Sequence, residues 1–201
     1  MSDPNANAVD LAAINFSAVE DACAVKILSA TRPLPPPPDP LPDDYVAPTP
    51  RAIVNKCDTY RGEKDEVFFA IVRESAPAIW MHLNKSLNAP KEFEQAGALG
   101  QPYTVGTTQN RLTLVWSFLV CAQSLRATRE LSHGGLGVYG AYQLLSLLLG
   151  MPGSTPATPG RLRGWSPLAN FEPFILVGWE LLGQTTTAAV YDVQFRTRTQ
   201  L

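Results

Sequence analysis

The sequence predicts a mainly α-helical protein, in which a helical bundle core carries a flexible proline-rich N-terminal arm and a C-terminal β-hairpin. Apolar residues recur at helical spacing through much of the chain, half of the 18 prolines fall between Pro33 and Pro50, and strand-like alternation is confined to the C-terminal part. With 201 residues, 45% of them hydrophobic, the chain can bury one ordinary core. We divide it into an N-terminal helix and arm (residues 1–50), a helical core (51–152), and a linker with the hairpin (153–201).

The N-terminal part predicts one amphipathic helix followed by a spacer. Apolar residues within residues 9–28 follow the spacing of three and four that places them on one helical face. The prolines that follow lack an amide donor and fix φ, which excludes a helix or sheet interior and favours extended polyproline structure. We expect this stiff spacer to leave the helix packed on a neighbouring subunit, through Leu11, Ile14 and Val25. The alternative is that the proline segment is a ligand for a proline-binding domain.

The central part predicts a series of helices. Apolar residues on one stripe, with acidic residues in the first turn, predict a helix over residues 63–75. Pro77 restarts the pattern, whose apolar face continues through Ile79, Trp80 and Leu83. The same reasoning predicts further helices over residues 90–96, 107–131 and 138–149. This series makes up the predicted bundle.

The C-terminal part predicts two strands. Residues 174–179 form a continuous apolar run rich in strand formers, and residues 190–198 alternate between apolar and polar side chains. The turn-forming residues 183–186 lie between them, which predicts an antiparallel hairpin. Because a lone hairpin is marginal in water, we expect it to pack on the helices or on another subunit.

Catalytic chemistry has little support in the sequence. We find no nucleophile beside a base and no paired carboxylates at recognisable spacing. His82 and His133 are interpreted as surface or capping residues, and the segment Gly134-Gly135-Leu136-Gly137 as a tight turn rather than a phosphate cradle. The cysteines lie far apart, so they suggest neither a disulfide framework nor a zinc site: Cys23, Cys57 and Cys121. We therefore predict no catalytic residues, no metal, no cofactor and no enzymatic activity.

Charge and hydropathy narrow the classes of partner. The net charge of −2 argues against a uniformly basic nucleic-acid-binding surface, although a subunit repeated along a polymer needs only a few cationic groups. The most apolar stretch, residues 136–149, is too short to cross a bilayer, and the N-terminus lacks the pattern of a signal peptide. We expect no membrane partner and a reducing compartment.

Arginines are the candidate RNA ligands. Arg126 and Arg129 are three residues apart in the longest predicted helix and would share one face. Guanidinium groups suit phosphate oxygens, and Trp165 offers a stacking plane beside two of the arginines. Solvated charges, or ion pairs with Glu130 and Asp192, are the alternative reading of each arginine. The full set of predicted RNA contacts is Arg111, Arg126, Arg129, Arg161 and Arg163.

One segment resembles a known family. Residues 69–80, followed by residues 87–97, resemble the core of coat proteins of flexuous filamentous plant viruses, the potexviruses and their relatives. In those proteins a helix carrying an Ala-Pro-x-x-Trp element is followed by a turn like Asn-x-Pro-Pro and then by a short helix that ends in glycine. The matching positions are Ala76, Pro77, Trp80, Asn88, Pro90 and Gly97.

The resemblance implies a viral coat protein that self-assembles into a helical capsid and packages single-stranded RNA through phosphate contacts. Such a protein is found in the virion and in the host cytoplasm, and its partners are copies of itself and the RNA. The alternative is an intracellular adaptor that binds protein partners through its proline-rich arm and an apolar helix.

Overall fold

The computed structural model describes residues 15–34, 36–60, 62, 76–88, 111–123, 140–185 and 187–200. These residues form two helices and five strands. In chain order the elements are α1 (Phe16–Leu28), β1 (Lys56–Thr59), β2 (Ala78–Asn88), β3 (Arg111–Gln123), α2 (Ala141–Leu149), β4 (Ile175–Gln184) and β5 (Ala188–Gln200).

The five strands form one mixed sheet in the order β1-β2-β3-β5-β4. The pair β1 and β2 is parallel, and every other neighbouring pair is antiparallel. The register at the centre of the sheet places Leu119 of β3 between Trp80 of β2 and Asp192 of β5. Asp192 in turn lies opposite Glu180 of β4.

The prediction of a helical bundle core is wrong. Residues 78–88, expected to continue a helix, form β2, and residues 111–123 of the longest predicted helix form β3. For β3 the reason is burial on both faces: a central strand covered on both sides is apolar at most positions, so spacing alone does not separate it from a buried helix. The aromatic and β-branched residues of β3, such as Val115, Trp116 and Phe118, favour the strand.

Other predicted elements are confirmed. Helix α1 lies within the predicted helix 9–28, and α2 lies within the predicted helix 138–149. Strands β4 and β5 form the predicted antiparallel hairpin, which is longer than expected and belongs to the sheet. The predicted helices 63–75 and 90–96 lie outside the described residues.

Both helices contribute to the main core on one face of the sheet. Phe118 and Phe195 meet edge to face there, with ring centres 5.7 Å apart. Leu144 and Leu148 of α2 are fully buried in the same core. The opposite face carries a smaller apolar cluster, which consists of Ala78, Trp80, Leu119, Cys121, Ala188 and Val190, with Tyr60 packed against it.

Helix α1 packs on its own chain. Its residues Val19, Cys23 and Ile27 are fully buried in the main core, and the Asn15 side chain caps its start by accepting from Ala18 N–H at 3.0 Å. The premise that the helix finds no partner within its own subunit is therefore wrong. Val25 points away from the core and is 70% exposed, so its subunit contact stays a prediction. Leu11 and Ile14 lie outside the described residues.

The proline segment is not a spacer that separates α1 from the rest. Thr31 and Ala52, on either side of it, form an antiparallel bridge. The chain therefore leaves the core after α1 and returns to the same place before β1, so the segment is a closed loop.

Candidate functional site: an apolar edge strand

Strand β4 is the outermost strand of the sheet among the described residues. It pairs with β5 on one side, and no described strand pairs with its other side. Its large apolar side chains are about half exposed: Ile175 50%, Val177 53%, Trp179 52%, Leu181 48% and Leu182 54%. We call these five residues the apolar edge. Large exposed apolar side chains concentrated on one strand in this way mark an interaction site more often than a free protein surface.

Two bulges shape this strand. The register with β5 shifts between Leu176 and Gly178, and again between Leu181 and Gly183. Each bulge inserts an extra residue and bends the strand. The inserted residues, Val177 and Leu182, both belong to the apolar edge. The bulges therefore add two exposed apolar residues to the eight residues of β4 that pair with β5.

Aromatic rings continue the apolar edge onto the side of the sheet that carries α2. The Trp179 ring lies 6.2 Å from the Tyr191 ring, and the Tyr142 ring of α2 lies 6.0 Å from the same Tyr191 ring. Tyr142 is 41% exposed. Such tyrosine and tryptophan side chains are enriched at protein interfaces, because they bury large apolar area and keep a polar group for hydrogen bonds.

The electrostatics of β4 leave the apolar edge poorly protected against pairing. Glu180 is the single charged residue in the sequence of the strand, which contains neither lysine nor proline. Natural edge strands commonly carry lysine, proline or bulges, which hinder pairing with another chain. In β4 the devices of this kind are the two bulges and the exposed Glu180.

A polar cluster lies on the face of the sheet opposite the helices. The Asp192 carboxylate is 6% exposed and its Oδ2 accepts from Gln194 Nε2 at 2.7 Å and from the Ser117 hydroxyl at 3.3 Å. Ser117 Oγ accepts in turn from Asn84 Nδ2 at 3.0 Å. The alternative reading of the arginines makes Asp192 an ion-pair partner, whereas its hydrogen bonds in the described residues come from the neutral groups of Ser117 and Gln194.

His82 borders this cluster and is not the helical surface residue that the sequence predicts. It lies in β2, with its ring 5.5 Å from the Tyr60 ring. Burial lowers the pKa of His82, while the nearby Asp192 acts in the opposite direction. Among the described residues, His82 Nδ1 and Asp192 Oδ1 are buried and have no hydrogen-bond partner.

The polar cluster does not have the geometry of a nucleophilic site. Ser117 is fully buried, and its hydroxyl donates to Asp192 rather than to the imidazole that would activate it. Burial raises the pKa of Cys57 to about 12, with Asp58 adding to the effect, and it raises the pKa of Cys23 and Cys121 as well. The described part of the chain has no group of three metal-ligating side chains close together.

Of the five predicted RNA-binding arginines, the structure describes the side chains of Arg161 and Arg163. The Arg161 guanidinium donates from Nη1 to the carbonyl and hydroxyl of Ser154, and from Nε to the Arg163 carbonyl at 2.9 Å. It therefore holds its own loop together, while the Arg163 side chain is exposed. Arg111 is the first residue of β3, and Arg126 and Arg129 lie outside the described residues.

Trp165 does not present the open stacking plane that the sequence suggests. Its ring packs 6.3 Å from the Phe174 ring, and the Lys26 ammonium lies 5.6 Å from its centre.

The apolar edge is predicted only in part. The sequence predicts a strand over residues 174–179, but the prediction does not include Leu181 and Leu182 or an exposed surface. The signal is present: apolar residues without alternation, in a hairpin strand that lacks lysine and proline.

No helix among the described residues is long and apolar enough to span a membrane.

Comparison with known proteins does not assign this chain to a family. No protein-family model, no curated protein and no solved structure matches the sequence or the fold.

Proposed function

We propose that this chain is a structural protein without catalytic activity, and that it associates with copies of itself through the apolar edge. The observation that carries the proposal is the exposure of five large apolar side chains along one outermost strand. Water-exposed apolar area of this extent is stabilised by burial in an interface.

The shape of the apolar edge favours a strand as its partner. Residues Trp179 and Leu181 pair with β5 residues that face the helices, whereas Ile175 pairs with Arg196, which faces the other side. The exposed side chains therefore project from both faces of the sheet. A helix laid against one face would cover one set, whereas a strand added alongside β4 covers both and also pairs with its main chain.

A second copy of β4 meets these requirements. Antiparallel pairing of two β4 strands across a two-fold axis places apolar side chains against each other on both faces. It can keep the two Glu180 carboxylates apart, provided that the axis does not pass through that residue. Five half-exposed large side chains offer about 400 Å² per copy, or about 800 Å² in a pair, while stable complexes bury about 1,200 to 2,000 Å² in total. Tyr142 and the strand's main chain extend the contact, so we expect micromolar affinity.

Packaging of RNA by a viral coat protein is a more specific form of this proposal. Self-association through the apolar edge supports the assembly part of it. The RNA part rests on Arg111, Arg126, Arg129 and Arg163, since the Arg161 guanidinium is engaged within its own loop. Electron microscopy of the purified protein with single-stranded RNA tests the packaging of RNA. Ordered particles that contain RNA are expected. A protein that does not bind RNA contradicts this form of the proposal.

The experiment for self-association is analytical ultracentrifugation over a wide range of protein concentration. We expect the wild type to dimerise with a micromolar dissociation constant. The double variant Val177→Lys/Leu182→Lys places charge on the apolar edge, so it should raise that constant at least about tenfold. Both side chains are more than half exposed, so the fold should tolerate the change.

A matched control is Val25→Lys, which changes an even more exposed valine on α1. It should leave the dissociation constant within about twofold of the wild type. A wild type that stays monomeric at every concentration contradicts the proposal. So does a loss of association in Val25→Lys as large as that in the double variant, because this would place the contact on α1.

A further inference from the structure

The proline segment is held shut by its two ends. The Arg32 N–H donates to the Arg51 carbonyl at 2.8 Å, and the Ile53 N–H donates to the Ala30 carbonyl at 2.9 Å. Ala30 and Ile53 are buried in the main core, so the stem is fixed to the body of the protein. We call residues 33–50 the proline loop. Because it starts and ends at one place, it does not act as a spacer between two parts of the chain.

The proline loop is displayed to solvent. Its described residues are exposed except for Tyr45, which is half-buried. Leu34 is 45% exposed, Leu41 60% and Val46 85%. The single backbone hydrogen bond among its described residues joins Tyr45 N–H to the Pro42 carbonyl at 3.0 Å. Loops of this length without helix or strand are uncommon in compact domains, and those that occur are usually functional or disordered.

The composition of the proline loop is that of a recognised peptide. Pro33 and Pro36 are spaced as in the PxxP ligands that dock into aromatic-lined grooves. A polyproline helix presents apolar rings and unpaired carbonyl acceptors, and its restricted backbone loses little entropy on binding. Closing the loop at its stem restricts the segment further, which favours binding for the same reason.

The charge of the proline loop indicates which side chains the partner carries beside its groove. All its charged residues are acidic and exposed, namely Asp39, Asp43 and Asp44, and they follow the run of prolines. A partner with cationic side chains beside its groove would be complementary to them.

We propose that the proline loop is the ligand of a partner domain whose groove is lined by aromatic side chains and bordered by basic residues. This goes beyond self-association, since the loop and the apolar edge share no residues. The loop supplies the prolines to the groove, and its carboxylates meet the basic border.

The test is a titration of the full chain with purified SH3, WW and EVH1 domains that carry basic residues beside their grooves. Fluorescence anisotropy measures the binding of each domain. We expect at least one domain to bind. Pro36→Ala/Pro37→Ala should weaken that binding at least about tenfold, while the control Pro48→Ala/Pro50→Ala, in the same loop, stays within about twofold. Circular dichroism checks that both variants fold.

Two further variants separate the parts of this proposal. Asp43→Lys/Asp44→Lys should weaken binding at low salt by at least about threefold, because it reverses the charge that faces the basic border. Val177→Lys/Leu182→Lys should bind as the wild type does, whatever its effect on self-association. Binding by none of the domains, equal loss in the two proline variants, or no effect of the aspartate change would overturn the proposal.

Discussion

The Lys26 ammonium lies 5.6 Å from the centre of the Trp165 ring and donates to the carbonyls of Pro156 and Ala157 at 3.0 and 2.9 Å. The main chain reinforces this contact, since the Gly160 N–H donates to the Lys26 carbonyl at 2.9 Å. The end of α1 is thus fastened to the loop that follows α2. This relationship fixes α1 to the core of its own subunit.

Replacing Lys26 with methionine should lower the free energy of unfolding by about 1 kcal/mol, because it removes two charge-assisted hydrogen bonds while keeping the apolar stem. Urea denaturation followed by circular dichroism measures the change. The control Arg163→Met alters an exposed cation and should stay within about 0.5 kcal/mol of the wild type. Equal effects of the two substitutions would show that the contact with Trp165 and the loop carbonyls adds nothing.

Gly160→Ala should destabilise the protein by about 1 to 3 kcal/mol. Gly160 has φ +78°, and a Cβ there would lie 2.5 Å from Leu147 Cδ1 and 3.1 Å from Ala30 Cβ. Gly153→Ala is the matched control, since Gly153 has φ +80° but a Cβ there would meet nothing within 4 Å. Thermal unfolding of both variants separates steric crowding from backbone strain. A cost no larger at position 160 than at position 153 contradicts close packing of α2 against this turn.

Asp192→Ala should lower the free energy of unfolding by about 1 to 3 kcal/mol, because Ser117 and Gln194 lose their acceptor within a buried cluster. Asp192→Asn, which keeps an acceptor oxygen, should cost less. The double variant Ser117→Ala/Asp192→Ala should cost less than the sum of the two single changes, since the two groups are coupled. Simple additivity in urea denaturation would contradict a shared hydrogen-bond network.

His82 should make the protein less stable in mild acid. Burial lowers its pKa in the folded state below the ordinary value of 6.5, with Asp192 opposing the effect and Tyr60 in ring contact. Between the two pKa values the unfolded chain binds more protons, so the free energy of unfolding falls as the pH drops through 6.5. In His82→Gln this contribution is absent. The stability of the wild type relative to the variant should therefore decrease between about pH 7.5 and about pH 5.5; a constant difference contradicts the assignment.

How much the sequence predicts depends on the element. Helix α2 and the hairpin are predictable, because their apolar spacing is local and their turns carry glycine and threonine. Strand β3 is not, because it is covered on both faces, and Leu112, Leu114 and Trp116 fill one face while Val115 and Leu119 fill the other. Alternation of apolar and polar residues identifies a strand only when one of its faces is buried. When both faces are buried, the alternation disappears.

The candidate surfaces are predictable only in part. The prolines of residues 33–50 are visible in the sequence, but the bridge between Thr31 and Ala52 that closes them into a loop joins residues far apart in the chain. The apolar character of β4 is likewise visible, but its place at the edge depends on β5 pairing with both β3 and β4. Long-range pairing of this kind is not encoded in any short segment.

The most direct test of self-association through the apolar edge is hydrogen exchange measured by mass spectrometry at low and high protein concentration. A peptide spanning Ile175–Gln184 should exchange more slowly at high concentration, because a second copy of β4 pairs with the side of the strand that no described strand occupies. The slowing should be absent from Val177→Lys/Leu182→Lys and from peptides of α1. Identical exchange of the β4 peptide at both concentrations, in a sample that does associate, would contradict the account.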